Sequence, residues 1–165
     1  MFKTILTTNL MNKYFKTLLF ATSLVALFTY SGCGPGKDPQ PSDEEVQLGK
    51  LKSTWTVSNV TLDNVSKTTD YAGFKLSVDG SLGATSFNYS TIGRPALSPW
   101  PTSGTWTFGT DPKTQLVRDP DKASDKLDIS YTVTDSQLQL TFTFAREGYA
   151  RTSNVKGQWV FTFTK

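Results

Sequence analysis

The sequence contains no histidine. That absence removes the usual general base, the commonest transition-metal ligand and the Ser-His-Asp arrangement together. It contains one cysteine, Cys33, so no intramolecular disulfide and no second thiol for metal or redox chemistry is available. Hydrolysis by a carboxylate pair needs two acids facing each other across a cleft, but most acids here fall in turns or at outward strand positions. No segment between the apolar runs is long enough to be a parallel crossover helix, so any sheet is antiparallel. These absences lead us to expect a non-catalytic protein without metal or cofactor.

An excess of positive charge is also missing where it would matter. Three of the 17 lysines and arginines (Lys3, Lys13 and Lys16) precede the apolar run Thr17–Tyr30, which leaves 14 basic against 14 acidic side chains after it. A near-neutral remainder gives no electrostatic case for nucleic acid or an anionic membrane surface. Residues 1–32 have the parts of a secretory signal: a basic start, a short apolar core and the small residues Ser31 and Gly32. Met11 opens the tidier basic start, "MNKYFK", so either Met1 or Met11 is the initiator.

The ending "YSGC" resembles a bacterial lipoprotein lipobox, with Tyr30 in place of the usual aliphatic residue. The resemblance implies cleavage before Cys33, lipidation of its sulfur and acylation of its amine. It also implies a cell-envelope location, at the outer membrane on its periplasmic face or at the cell surface, held by the membrane through that lipid. The other reading is an ordinary cleaved signal with a chance cysteine. Several acyl chains together anchor firmly, because each buried methylene adds about 0.8 kcal/mol.

Residues 33–45, including "GPGKDPQPSDEE", are rich in Gly, Pro and charge and read as a flexible tether. Lys37-Asp38 either resembles the short charged signals that send some Bacteroidetes lipoproteins to the cell surface or is plain solvated linker. Ser42 with Glu45 fits a capping box. "DEEVQLGKL" then predicts one or two helical turns with Val46, Leu48 and Leu51 as packing residues.

From Ser53 the hydrophobic period changes to two. Segments 55–62, 74–78, 86–92, 105–108, 115–118, 126–133, 137–146 and 158–163 read as strands, with hairpin turns at Asp79-Gly80 and at 134–137. Parity puts Leu138, Leu140, Phe142 and Phe144 on one face; Trp159, Phe161 and Phe163 share a face, as do Leu127, Ile129, Tyr131 and Val133. Phe74, Phe87 and Phe108 also read as inward. A one-sided apolar sheet must close on itself or pack on another. The expected fold is therefore all-β: an eight-stranded antiparallel up-and-down barrel over 46–165 with a short N-terminal helical turn, the alternative being a β-sandwich or jelly roll.

The order "LGKLKSTW", "SPWPTSGTWTF", "LQLTFTF" and "GQWVFTFTK" resembles the lipocalin-like domains of the calycin group found in Bacteroidetes lipoproteins. In lipocalins a helical turn enters the first strand through Gly-x-Trp, and the tryptophan closes one barrel end. Here Ser53-Thr54-Trp55 replaces that glycine motif. The resemblance implies a barrel and leaves activity open.

Candidate binding groups are few. Trp100 lies between Pro99 and Pro101 on a loop stiffened further by Pro95. It is either a rigid rim group for stacking on a ligand or a plug folded into the barrel. With Tyr89 and Arg146 it makes the candidate ligand-binding set for a small hydrophobic or amphipathic molecule. Arg146 has three readings open: a carboxylate clamp, a cation stacked on a tryptophan at the closed end as in lipocalins, or a solvated residue past the strand. Arg94, Arg118 and Arg151 offer no better placement. Asp119, Asp121, Asp125 and Asp128 alternate in "DPDKASDKLD", but Lys122 and Lys126 interleave and the glycine and glutamate of a calcium loop are missing, so a solvated hairpin loop is expected. Two functions follow: a barrel that binds a small ligand near the cell envelope, or a filled barrel acting through its outside as a structural or protein-interaction lipoprotein.

Overall fold

The computed structural model describes residues 40–145 and 155–165. It begins with α1 (Asp43–Leu51), whose N-cap Ser42 accepts the Glu45 backbone N–H at 3.2 Å. Asp43, Glu44 and Glu45 occupy its first turn and Lys50 its last, the charge order that a helix dipole favours. Leu48 and Leu51, three residues apart, are buried. Val46 is not a packing residue as expected: it is exposed, because two positions before Leu48 a helix has turned its face away.

The strands are β1 (Ser53–Leu62), β2 (Val65–Ser66), β3 (Lys75–Asp79), β4 (Phe87–Ile92), β5 (Ser103–Phe108), β6 (Gln115–Arg118), β7 (Leu127–Val133), β8 (Gln137–Phe144) and β9 (Gly157–Thr164), with a 3-10 turn at Thr68–Tyr71. β1 pairs antiparallel with β3, each strand from β3 onward pairs antiparallel with the next, and β9 returns to β1. The two-residue β2 only folds back on the end of β1. What closes is therefore an eight-stranded barrel, not a sandwich or jelly roll. Closure rests on the length of β1. Its first half pairs with β3 (Trp55↔Leu76) and its second with β9 (Val60↔Phe161), across a bulge between Val57 and Asn59. The extra residue shifts parity, so Trp55 before it and Val60 and Leu62 after it all point inward.

Alternation dictates the core as read from sequence: the inward residues of β8 and β9, and Leu127, Ile129 and Tyr131 of β7, are buried, while Val133 and Phe108 are partly so. Phe161 sits among Tyr71, Phe74, Trp100, Phe142, Trp159 and Phe163, with ring centroids 5.1 to 6.0 Å away. Such edge and offset contacts add to area burial. β5 starts two residues earlier than its expected start at Thr105, and β8 ends at Phe144.

Each end of the barrel has a cover. At the helix end, α1 lies over the start of β1, and the Trp55 indole N–H donates to the Leu51 carbonyl at 2.8 Å. The Lys165 ammonium stands 5.0 Å from the centre of the Trp55 ring. The opposite end is covered by the β4–β5 loop, residues 93–102, and by the 3-10 turn.

Candidate functional site

The polar chemistry buried in the described part of the barrel collects beneath the β4–β5 loop. Three anchors hold that loop. Thr91 bonds it from β4, its backbone N–H to the Thr102 carbonyl at 2.7 Å and its hydroxyl to the Pro101 carbonyl at 2.7 Å. Ser98, fully buried, accepts the Trp100 backbone N–H at 3.1 Å and the Tyr71 hydroxyl at 3.3 Å. Arg118 donates from Nη1 to the Pro99 carbonyl at 2.9 Å. With prolines at 95, 99 and 101 limiting its freedom, the loop drives Trp100 inward, where it is 2% exposed. Its ring meets Phe74, Tyr89, Phe142 and Phe161.

Arg118 closes β6 with the same parity as the inward Leu116, opposite Trp106 on β5. Its guanidinium lies 5.2 Å from the centre of the Trp100 ring and is 1% exposed. The next residue, Asp119, is also 1% exposed. Its left-handed backbone (φ 49°) turns the carboxylate back over the sheet, while its N–H still donates to the Thr105 carbonyl at 2.7 Å. Aspartate tolerates this conformation better than most residues. Asp119 Oδ2 accepts the Tyr89 hydroxyl at 2.8 Å and lies 3.4 Å from Arg118 Nε; Oδ1 accepts the Thr105 N–H at 3.1 Å and meets Lys122 Nζ at 3.5 Å. Gly104, opposite Tyr89 in the β4–β5 ladder, makes room for this. A Cβ there would stand 2.2 Å from Asp119 Oδ1 and 2.6 Å from the Tyr89 oxygen.

One expectation changes here, and the choice between rim and plug for Trp100 falls to the plug. Asp119 is a buried acceptor rather than part of a solvated loop, because the Gly104 gap and the donors around it outweigh its exposure in sequence; Asp121 and Asp128 are exposed as expected. Trp100 and Tyr89 lie together but inside, so they do not form an exposed rim. Arg146, Arg151 and Cys33 lie outside the described residues. A cation stands over each of the two end tryptophans, Lys165 over Trp55 and Arg118 over Trp100.

Sequence reasoning passed over Arg118, although its spacing from Leu116 carried the signal. Burial raises the Tyr71 phenol far above its ordinary pKa, and the Ser98 hydrogen bond only partly offsets this. Three donors in the cluster, Trp100 Nε1, Arg118 Nε and Arg118 Nη2, have no hydrogen-bond acceptor among the described residues. Beside the cluster is a cavity of about 30 Å³ with apolar walls, lined by Leu51, Leu76, Tyr89, Trp100, Leu138 and Arg118 among others. Among the described residues no group of three or more Cys, Asp or Glu side chains is arranged to hold a metal ion, and no helix is long and apolar enough to cross a membrane. Comparison with protein-family models, curated proteins and solved structures found no match to this chain.

Proposed function

We propose that this chain is a non-catalytic, lipid-anchored protein of the cell envelope that acts through the outer wall of a filled, lipocalin-like barrel as a structural or protein-interaction module.

 The observation that carries this reading is the interior volume: about 30 Å³ of free space behind Trp100, where pockets for small organic ligands run to roughly 300–1,000 Å³. The larger hollows are on the outside. One of about 520 Å³ runs over the outward residues Asp128, Ser130, Thr141, Thr143 and Gln158 of β7, β8 and β9. The exposed large apolar side chains are divided between the two ends, with Val46 and Leu82 at the helix end and Val65, Ile92 and Leu97 at the other. The anchor rests on the lipobox-like "YSGC" and on Cys33 as the chain's only thiol.

The competing reading, a hydrophobic or amphipathic ligand held by Trp100, Tyr89 and Arg146, requires the β4–β5 loop to swing out. That movement gives up the Ser98, Thr91 and Arg118 anchors and four ring contacts of Trp100. Native mass spectrometry of the full chain extracted from envelopes, followed by tryptophan fluorescence against fatty acids, sterols and sugars, separates the two. We expect a bare lipidated mass and unchanged emission, with Cys33→Ser released from the membrane fraction. A stoichiometric organic adduct, or emission that shifts saturably with one ligand class, would return the function to the barrel interior.

A further inference from the structure

We propose that the cleft between β7 and β8 at the Trp100 end is a binding site for a short extended peptide segment of a protein partner, held by main-chain hydrogen bonds to Asp128 and Thr143. This rests on the protein-interaction reading above and gives it a place and a partner chemistry. The first ground is a ladder that stops early. β7 and β8 pair from their turn, where the Thr134 N–H donates to the Gln137 carbonyl at 2.8 Å, through Thr132↔Gln139 to Ser130↔Thr141. Both strands run on past that rung, β7 to Leu127 and β8 to Phe144, yet each is paired there only on its far side, β7 with β6 and β8 with β9. The hollow of about 520 Å³ opens between them, lined by Leu127, Asp128, Ser130, Thr141, Phe142 and Thr143 among others.

The second ground is the backbone left facing that hollow. The bonded side of an antiparallel strand alternates from residue to residue. The Tyr131 N–H donates to the Thr114 carbonyl at 2.8 Å, so Ile129 and Leu127 also turn toward β6, and Asp128 turns toward β8. The Asp63 N–H donates to the Gln158 carbonyl at 2.8 Å, so Gln158 turns toward β1; Thr143, opposite it, turns the other way, toward β7. Asp128 and Thr143 are therefore the next rung, and it is not made. Each presents an N–H and a carbonyl to the cleft without a backbone partner among the described residues. Unpaired strand edges of this kind are the groups that take up an added strand.

The third ground is the match between these groups and an extended chain. A segment lying antiparallel to β7 sets a central residue opposite Asp128 and exchanges backbone bonds with it, while the flanking residues turn to Thr143. The central side chain then points outward with Asp128 and Thr143, and the flanking ones point inward toward Leu127 and Phe142, which favours the order apolar, polar, apolar. Charge agrees with a neutral segment: Lys126 and Asp128 offset each other, and Ser130, Thr141, Thr143 and Gln158 are uncharged. A fatty chain would leave the backbone groups unmatched. A sugar ring finds no aromatic platform, since Phe142 is only 3% exposed. Proline is excluded at the central position, because it has no N–H to give.

The test is amide hydrogen exchange and shift mapping by NMR on the purified full-length chain, with the blocked peptide acetyl-Thr-Val-Thr-Val-Thr-amide as the probe. In the free chain the Asp128 and Thr143 N–H groups should exchange at least about tenfold faster than those of Ser130 and Thr141, one rung away. With the peptide their shifts should move saturably and their exchange should slow by about tenfold or more. The same peptide N-methylated at its central threonine should move neither. Thr143→Val, which keeps the backbone, should bind as the parent does. Thr143→Pro removes an N–H that faces the cleft and makes no ladder bond, and it should lose binding. If that variant does not fold, the N-methylated peptide makes the same comparison. Asp128 and Thr143 amides already protected in the free chain, no saturable shift up to millimolar peptide, or equal binding of the N-methylated peptide would overturn the proposal. Those outcomes leave the outer-wall reading standing, since that reading falls instead to an organic adduct in the barrel interior.

Discussion

At the helix end of the barrel, Leu48 and Leu51 come down over Trp55, whose indole N–H is satisfied by a carbonyl four residues back. At the opposite end Trp100 comes down over Arg118, Asp119, Tyr89 and Ser98, and its indole N–H has no acceptor among the described residues. Trp159 repeats the first solution, donating to the Val155 carbonyl at 2.7 Å. Both plugs are large and buried, but they fail differently. An apolar plug loses contact area and gains a cavity when trimmed. A polar plug is asymmetric: removing one partner strands the other in a medium that cannot solvate it.

The largest effect should therefore come from Asp119. Asp119→Ala strands the Arg118 cation and leaves the Tyr89 hydroxyl and the Thr105 N–H without their acceptor. We expect a loss of about 3–5 kcal/mol in urea unfolding, to which the left-handed backbone at this position adds strain. Adding Arg118→Met to Asp119→Ala should recover part of that loss, since the stranded charge goes with it. A double variant no more stable than the single one would mean that the two ends differ in composition but not in kind.

At the helix end, Leu51→Ala removes a fully buried side chain that also borders the small cavity. About 3 kcal/mol is expected, and no second substitution should restore it short of refilling the volume. The same change enlarges the cavity from the apolar side. If Leu51→Ala and Asp119→Ala prove equally sensitive to salt, charge is not what sets the two ends apart.

Much of this architecture was legible because a strand's period is two. Leu138 to Phe144 and Trp159 to Phe163 alternate without interruption, and burial follows them residue for residue. The bulge in β1 was not legible, since nothing in "TVSNV" announces the extra residue that brings Val60 inward. The polar plug was half legible. Arg118 shares the parity of Leu116, but a charged residue at a strand end ordinarily reads as surface. Asp119 depends on a missing side chain at Gly104, fifteen residues away on another strand; only the pairing of β4, β5 and β6 brings the gap and the carboxylate together. Prolines showed that the Trp100 loop is stiff, but its direction is set by bonds to residues outside it, from Thr91 to Pro101, Tyr71 to Ser98 and Arg118 to Pro99.

In one respect the two ends should behave alike. Tyr71 lies at the Trp100 end and Tyr131 at the helix end, where its hydroxyl bonds to the Pro112 carbonyl. Burial raises both phenols well above their ordinary value, and for Tyr131 the nearby Asp111 charge adds to the effect. An unfolded chain releases these protons near pH 10, while the folded barrel keeps them. Above that point the native state binds more protons than the unfolded state, so stability falls as pH rises; below it the contribution is present in full. Each phenol should contribute at most about 1.4 kcal/mol per pH unit to that fall. Tyr71→Phe and Tyr131→Phe should each flatten the alkaline limb of a Tm-versus-pH curve by a similar amount, whatever they cost at neutral pH through lost hydrogen bonds. If only Tyr71→Phe flattened it, the helix end would be admitting water to Tyr131, and the contrast between a dry apolar plug and a polar one would have to be redrawn.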